Sequence, residues 1–260
     1  MAPLPTSRLQ LMSKYRQWLI EQESLPLRVI AIESSGRTAS LALLDAATET
    51  ARLVVERQTP ADERTAQSLA PTAAAALAEA GWRPRDVELV CVTTGPGSFT
   101  GLRIGVVMAK TLAYAVGAHL VGVHTLAALA AAVEAPYRRL WTILDAQRQE
   151  LFTSSFTAGE PVALPEPPAT SIRATSQFIE RLQPGDAVAG PPLAALRRQL
   201  PAAVAAVDES LWRPRASAVG SLGIALYKLG CAVDPIDLVP RYYRRSAAEE
   251  KFERARGETA

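Results

Sequence analysis

The sequence predicts an α/β fold built as two duplicated lobes, each a mixed sheet with helices, and two observations carry that prediction. Val87–Thr94 is a β-branched, nearly uninterrupted apolar run that stops at Gly95, Pro96 and Gly97 and leads into a helix almost free of polar residues. Such a run suits a strand buried on both faces. The second observation is a repeat: an apolar strand closed by an acid, a small polar turn and a return strand occurs twice, with Glu33 and Asp145 in the same place, 112 residues apart. A repeat at that distance implies two related halves, each with an acid at its first hairpin.

At 260 residues the chain has room for one large domain or two small ones. Hydrophobic residues at 48% and charged residues at 21% are globular values. A net charge of +2 argues against a stand-alone nucleic-acid binder, which carries a basic domain or stripe. Cys91 and Cys231 are too far apart in sequence for a metal pair or a disulfide framework, so a reducing cytoplasm is the simplest setting. His119 and His124 have no acidic or cysteine neighbour at ligand spacing, and no metal site is expected. Residues 1–27 place Leu9, Met12, Tyr15 and Leu19 on one helical face but are interrupted by Arg8, Lys14, Arg16 and Glu21, which reads as a short amphipathic extension rather than a signal peptide. No membrane span is expected elsewhere.

Val29–Glu33 reads as a strand, Ser34, Ser35 and Gly36 as a turn, and Thr38–Leu44 as the return strand. Glu33, Ser34 and Ser35 have the chemistry to hold a hydrated metal and phosphate oxygens, and equally that of an ordinary hairpin turn. Leu53–Arg57 is a third strand, and Thr65–Ala80 an alanine-rich helix stopped by Gly81. The central unit follows, with Ser98 and Thr100 as candidate N-caps for a helix over Leu102–Val116. Gly95, Gly97 and Ser98 could direct backbone N–H groups at a phosphate, or simply make a tight turn. The stretch is neither a P-loop, lacking its lysine, nor a dinucleotide fingerprint, since Gly101 falls one position late. Gly101, Gly105, Ala109 and Ala113 recur every four residues and form a smooth strip along one face. Glycine inside a helix costs about 1 kcal/mol relative to alanine. The strip therefore calls for close packing, either within the fold or against another subunit.

His119–Val123 then reads as a strand and Leu126–Val133 as a helix. Leu140–Leu144 is a strand ending at Asp145, and Glu150–Phe156 its return. Glu160–Thr170, with four prolines, is an irregular loop. A helix over Thr175–Leu182, a strand Ala187–Gly190, a helix Leu193–Leu200, a short strand Val204–Val207 and a final helix Ala216–Leu229 complete the chain, followed by a charge-mixed tail.

TTGPGSFTGLRIG closely resembles the signature of the TsaB (YeaZ) family, the bacterial tRNA threonylcarbamoyladenosine biosynthesis subunit. The resemblance extends to VIAIESS, ILDAQRQELF and LVPRYYRRSAAE and covers roughly Arg28 to Glu250. It implies the actin/Hsp70/sugar-kinase-like (ASKHA) fold. Residues 28–135 would form lobe 1, completed by the helix over 216–230, and residues 136–215 lobe 2, with 231–260 as tail. It also implies a non-catalytic, cytoplasmic subunit that forms a heterodimer with a TsaD-like catalytic subunit, works with a TsaE-like ATPase, and meets tRNA mainly through the complex. Pairing would use two helices of lobe 1, with Thr65, Leu69, Ala73, Gly101, Arg103, Gly105, Ala109 and Ala113 as interface residues, and the same face could make a homodimer when the partner is absent. No cofactor is required, although the cleft residues Glu33, Ser34, Ser35, Gly95, Gly97, Ser98 and Asp145 leave room for ATP or ADP at the partner interface. The tail is either solvated or touches tRNA through Arg241, Arg244 and Arg245.

An ATP-dependent phosphotransferase or ATPase of the same superfamily is the alternative, and a simple nucleotide-binding module a third reading. The paired-histidine metal motif of the catalytic relative is missing, which favours the partner subunit. TAQSLAP departs from the family pattern H-S-x-x-L-L-P by placing Thr65 where the histidine stands, removing any metal role there. The glycine-rich adenosine motif of a kinase is also missing, because Gly190 is followed by Pro191 and Pro192, and proline offers no N–H.

Overall fold

Arg28–Glu33 (β1) is the centre of a five-stranded sheet because every residue from Val29 onward is buried, with side chains alternating into two different cores. Its neighbours are Ser40–Asp45 (β2), Arg52–Gln58 (β3), Leu89–Gly95 (β4) and His119–His124 (β5), in the order β3-β2-β1-β4-β5. β1 pairs antiparallel with β2, in a register that sets Glu33 opposite Ser40, and parallel with β4. These features belong to a computed structural model that describes residues 27–46, 51–134 and 136–244. The expected amino-terminal helix and the tail from Arg245 onward lie outside the described residues.

The second sheet contains Arg139–Asp145 (β6), Glu150–Thr157 (β7), Ser171–Ala174 (β8), Asp186–Ala189 (β9) and Ala205–Ala206 (β10), in the order β10-β9-β6-β7-β8. Taken from the other edge, this is the first order with each strand five further along the chain. Pairing directions match too: β6 is antiparallel to β7 and parallel to β9. Glu33 and Asp145 close β1 and β6, the equivalent strands. The duplicated two-lobe plan of the actin/Hsp70/sugar-kinase class is therefore present in topology.

Helices Thr65–Glu79 (α1) and Phe99–Val116 (α2) cover one face of the first sheet, packing Leu69, Ala73, Val106, Ala109 and Ala113 against Ile30, Ile32, Val90 and Val92. Thr125–Ala131 (α3) and the last helix, Ala216–Lys228 (α6), cover the other. α6 lies so close to the sheet that a Cβ at Gly223 would stand 2.3 Å from Cys91 Sγ. α2 is long and apolar enough to cross a membrane by composition alone, but its apolar side lies on the sheet.

Thr175–Arg181 (α4) and Leu193–Leu196 (α5) belong to the second lobe. The helix expected over Leu193–Leu200 is one turn followed by a 3-10 turn at Arg197–Gln199, since Pro201 bars further helix. β8 is an addition to the elements expected: four half-buried residues with no alternation in burial, defined by pairing with β7.

Candidate functional site

The β1–β2 turn, the start of α2 and the carboxy-terminal segment meet around the glycine turn. Ser98 caps α2 by accepting a hydrogen bond from Gly101 N at 3.2 Å, so the helix begins at Phe99, three residues before the apolar pattern suggests. Gly95 and Gly97 have φ of 123° and 154°, the former well inside the region that favours glycine. The β1–β2 turn sits directly on this unit. Ser98 N donates to Ser35 O at 2.7 Å, and a Cβ on Gly97 would lie 2.6 Å from Ser35.

The same turn accounts for the helix glycines. A Cβ at Gly101 would lie 2.1 Å from Ser34 O, and one at Gly105 2.0 Å from Ser34 Oγ. Gly101, Gly105, Ala109 and Ala113 are all buried, as are Leu69 and Ala73 on α1. This corrects the expectation that the strip docks another subunit: its small side chains admit the chain's own hairpin and sheet, and none of these six faces outward. Of the other two residues assigned to that interface, Arg103 is exposed and Thr65 half-buried.

Glu33 is 3% exposed, and its carboxylate accepts hydrogen bonds from Ser35 N, at 2.7 Å, and from Ser35 Oγ. Burial pushes it up to about 7, against the opposing effect of both Ser35 bonds. Its protonated form therefore persists well above the ordinary carboxylate range. Asp145, its topological equivalent, is exposed and accepts from Gln147 N at 2.7 Å. Gln147, Arg148 and Gln149 follow with φ near +60°, an unusual run of left-handed non-glycine residues. The two acids close equivalent hairpins but sit in unlike surroundings, one locked inside its turn and one in solvent.

The carboxy-terminal segment joins the glycine turn to the second hairpin, which its charge-mixed composition does not reveal. Arg241 N donates to Thr94 O at 2.7 Å, and the Arg241 carbonyl would lie 2.6 Å from a Cβ on Gly95. Tyr242 packs on Phe99 with ring centroids 4.6 Å apart and accepts a hydrogen bond from Arg103 Nε at 2.8 Å. The Tyr243 hydroxyl bonds His124 Nε2 at 2.9 Å, and Arg244 donates to Ala146 O and pairs with Glu150 on the second hairpin. Burial and the charge of Arg241 push His124 down to about 3.

As a nucleotide cradle the arrangement fits poorly. Ser98 N and Gly101 N are spent on the chain's own oxygens, and Gly190, in the second lobe, has its Cβ position filled by Ile143 O at 2.0 Å. Among the described residues no three His, Cys, Asp or Glu side chains converge.

A sequence profile of the TsaD family, tRNA N6-adenosine threonylcarbamoyltransferase, matches residues 58–162. The chain is 31% identical over 130 residues to the tRNA threonylcarbamoyladenosine biosynthesis protein TsaB of Bacillus subtilis, covering 50% of this chain and 55% of that one. It is 32% identical over 120 residues to the tRNA N6-adenosine threonylcarbamoyltransferase of Moorella thermoacetica, covering 42% and 35%. These matches span about half of the first relative's length and about a third of the second's. An uncharacterized protein of Mycobacterium tuberculosis is 31% identical over 196 residues, covering 75% of this chain and 82% of its own. Among solved structures, one described as an uncharacterized protein with similarity to peptidase YeaZ from Pseudomonas aeruginosa superposes with a TM-score of 0.67 at 26% identity, covering 84% of this chain and 100% of the other. YeaZ from Pseudomonas aeruginosa superposes with a TM-score of 0.67 at 24% identity, covering 83% and 99%.

Proposed function

The chain belongs to the TsaB (YeaZ) family, and from that premise we propose that it is a non-catalytic subunit in the formation of threonylcarbamoyladenosine in tRNA, docking onto and activating a TsaD-like catalytic subunit in the cytoplasm. The observation that carries this reading is the outer side of the α1–α2 layer. Val107 is 62% and Tyr114 81% exposed on α2, and Ala70 and Ala74 are exposed on α1. Large apolar groups held outward on rigid helices are the anchors protein interfaces use. The matching profile spans both helices, so a TsaD-like lobe would present a related surface to pair with, and a second copy of this chain could substitute in its absence.

The glycine turn is closed by Ser35 and the carboxy-terminal segment, which supports a scaffold rather than a phosphotransferase. Any ATP or ADP would be held at the shared interface with the TsaD-like subunit, and a TsaE-like ATPase would join there. tRNA would be met through the complex. Co-purification with the TsaD-like subunit tests the reading. Val107→Arg together with Tyr114→Asp should leave the melting temperature within about 2 °C, since exposed substitutions are nearly neutral, yet weaken association by about 30-fold or more, the weight of an aromatic anchor. The chain alone should form no threonylcarbamoyladenosine from tRNA and the activated intermediate. Retained association in the double variant, or modification without a partner, would count against the proposal.

A further inference from the structure

A cavity of about 610 Å3 opens beside the glycine turn, between the two lobes. It is lined by Leu222 and Leu226 of α6, Leu164 of the proline-rich β7–β8 loop, His124, and Asp237 and Arg241 of the carboxy-terminal segment. A mostly apolar cleft of this size with a few polar groups, placed at a junction of lobes, has the dimensions of a small-molecule site.

The polar groups define what it would take. Arg241 is anchored through its backbone N–H to Thr94 O, while its side chain is exposed and, among the described residues, its guanidinium has neither an ion pair nor a hydrogen-bond partner. His124 is 6% exposed; its Nε2 is held by Tyr243 and Thr170, and its Nδ1 has no partner. Low in pKa for the reasons given above, this imidazole is neutral at pH 7 and adds no charge. The charges on the lining are therefore one of each sign: Arg241 attracts an anion, and Asp237 repels one in proportion to its charge, so a single negative charge seated on the guanidinium is favoured over a multiply charged group.

We propose that this cavity binds a small amphipathic monoanion, its apolar body lying between Leu222, Leu226 and Leu164 and its single carboxylate or sulfonate on Arg241. The proposal does not depend on the partner-subunit reading, since every group it uses belongs to this chain.

The test uses the full chain with 8-anilinonaphthalene-1-sulfonate as probe and N-phenyl-1-naphthylamine, the same kind of body without the charge, as its neutral counterpart. Arg241→Gln should weaken sulfonate binding about tenfold, the worth of a charge-assisted bond, while leaving the neutral probe within about twofold. Arg241→Lys should restore most of the loss, and Leu164→Glu should weaken both probes. Location is read at Cys231, a partly exposed thiol on the cavity wall: saturating sulfonate probe should slow its alkylation by iodoacetamide, with the fully buried Cys91 as internal control. Absence of binding, equal affinity in Arg241→Gln, or an unprotected Cys231 at saturation would each overturn the proposal.

Discussion

Ala109→Arg is expected to unfold the protein or bring its melting temperature down steeply, and its effect on any partner follows from that. Ala109 has no exposed surface and packs within the core between α2 and the first sheet. An arginine there would strand a guanidinium among aliphatic groups and overpack a filled space, a combined cost on the order of 5 kcal/mol against a total stability of roughly 5–15 kcal/mol. Val107, two residues earlier, points the opposite way and is mostly exposed, so Val107→Arg should shift stability by no more than about 0.5 kcal/mol. Thermal melts followed by circular dichroism would separate the two. A near-native melt for Ala109→Arg would mean that the small-residue strip faces outward after all. Gly101→Ala is a subtler companion: helix propensity alone favours alanine by about 1 kcal/mol, yet a Cβ 2.1 Å from the Ser34 carbonyl meets backbone that cannot swing aside, so the net change should be destabilising.

The strip shows where sequence reasoning reaches its limit. A four-residue spacing establishes that Gly101, Gly105, Ala109 and Ala113 share a face, and close packing was the right inference from two glycines one turn apart. Nothing in the spacing says what approaches, and the answer, the Ser34 turn, lies more than sixty residues earlier in the chain. The duplicated lobes were legible because each half repeats an apolar strand, an acid and a small turn. The strand order, β3-β2-β1-β4-β5 against its counterpart shifted by five, reproduces that repeat in space. β8 was not legible, because the polar–apolar alternation of Ser171–Ala174 is only four residues long and its burial is uniform, so pairing with β7 is what defines it. The carboxy-terminal segment escaped for a related reason. Tyr242, Tyr243 and Arg244 read as a charged tail, and only the fold brings Phe99, His124 and Glu150 to meet them.

Glu33→Gln should remove a pH dependence of stability that the native turn builds in. The carboxyl is raised from an ordinary 4.5 to about 7, chiefly by burial, with no charged partner contributing. Between those values the folded chain keeps a proton that the unfolded chain has released, so stability falls as pH rises through this window and levels off once both states are ionised. The difference corresponds to about 3 kcal/mol of destabilisation above pH 7, fully relieved below pH 4.5. His124 acts in the opposite sense, because its folded-state value, near 3, lies below the usual 6.5. The unfolded chain takes up a proton there first, and stability rises with pH between about 3 and 6.5. The two slopes partly cancel in the native protein, so its own pH profile is a poor guide and the difference from the variant is the informative quantity. Glutamine keeps an acceptor for Ser35 N–H while removing the titration. Near pH 4.5 the two proteins should melt together; by pH 8 the variant should melt higher by about 6–10 °C, the shift expected for about 3 kcal/mol in a chain of this size. A difference that stays constant between pH 5 and 8.5 would show that Glu33 is ionised throughout, and that the turn over the glycine loop carries a full negative charge at neutral pH.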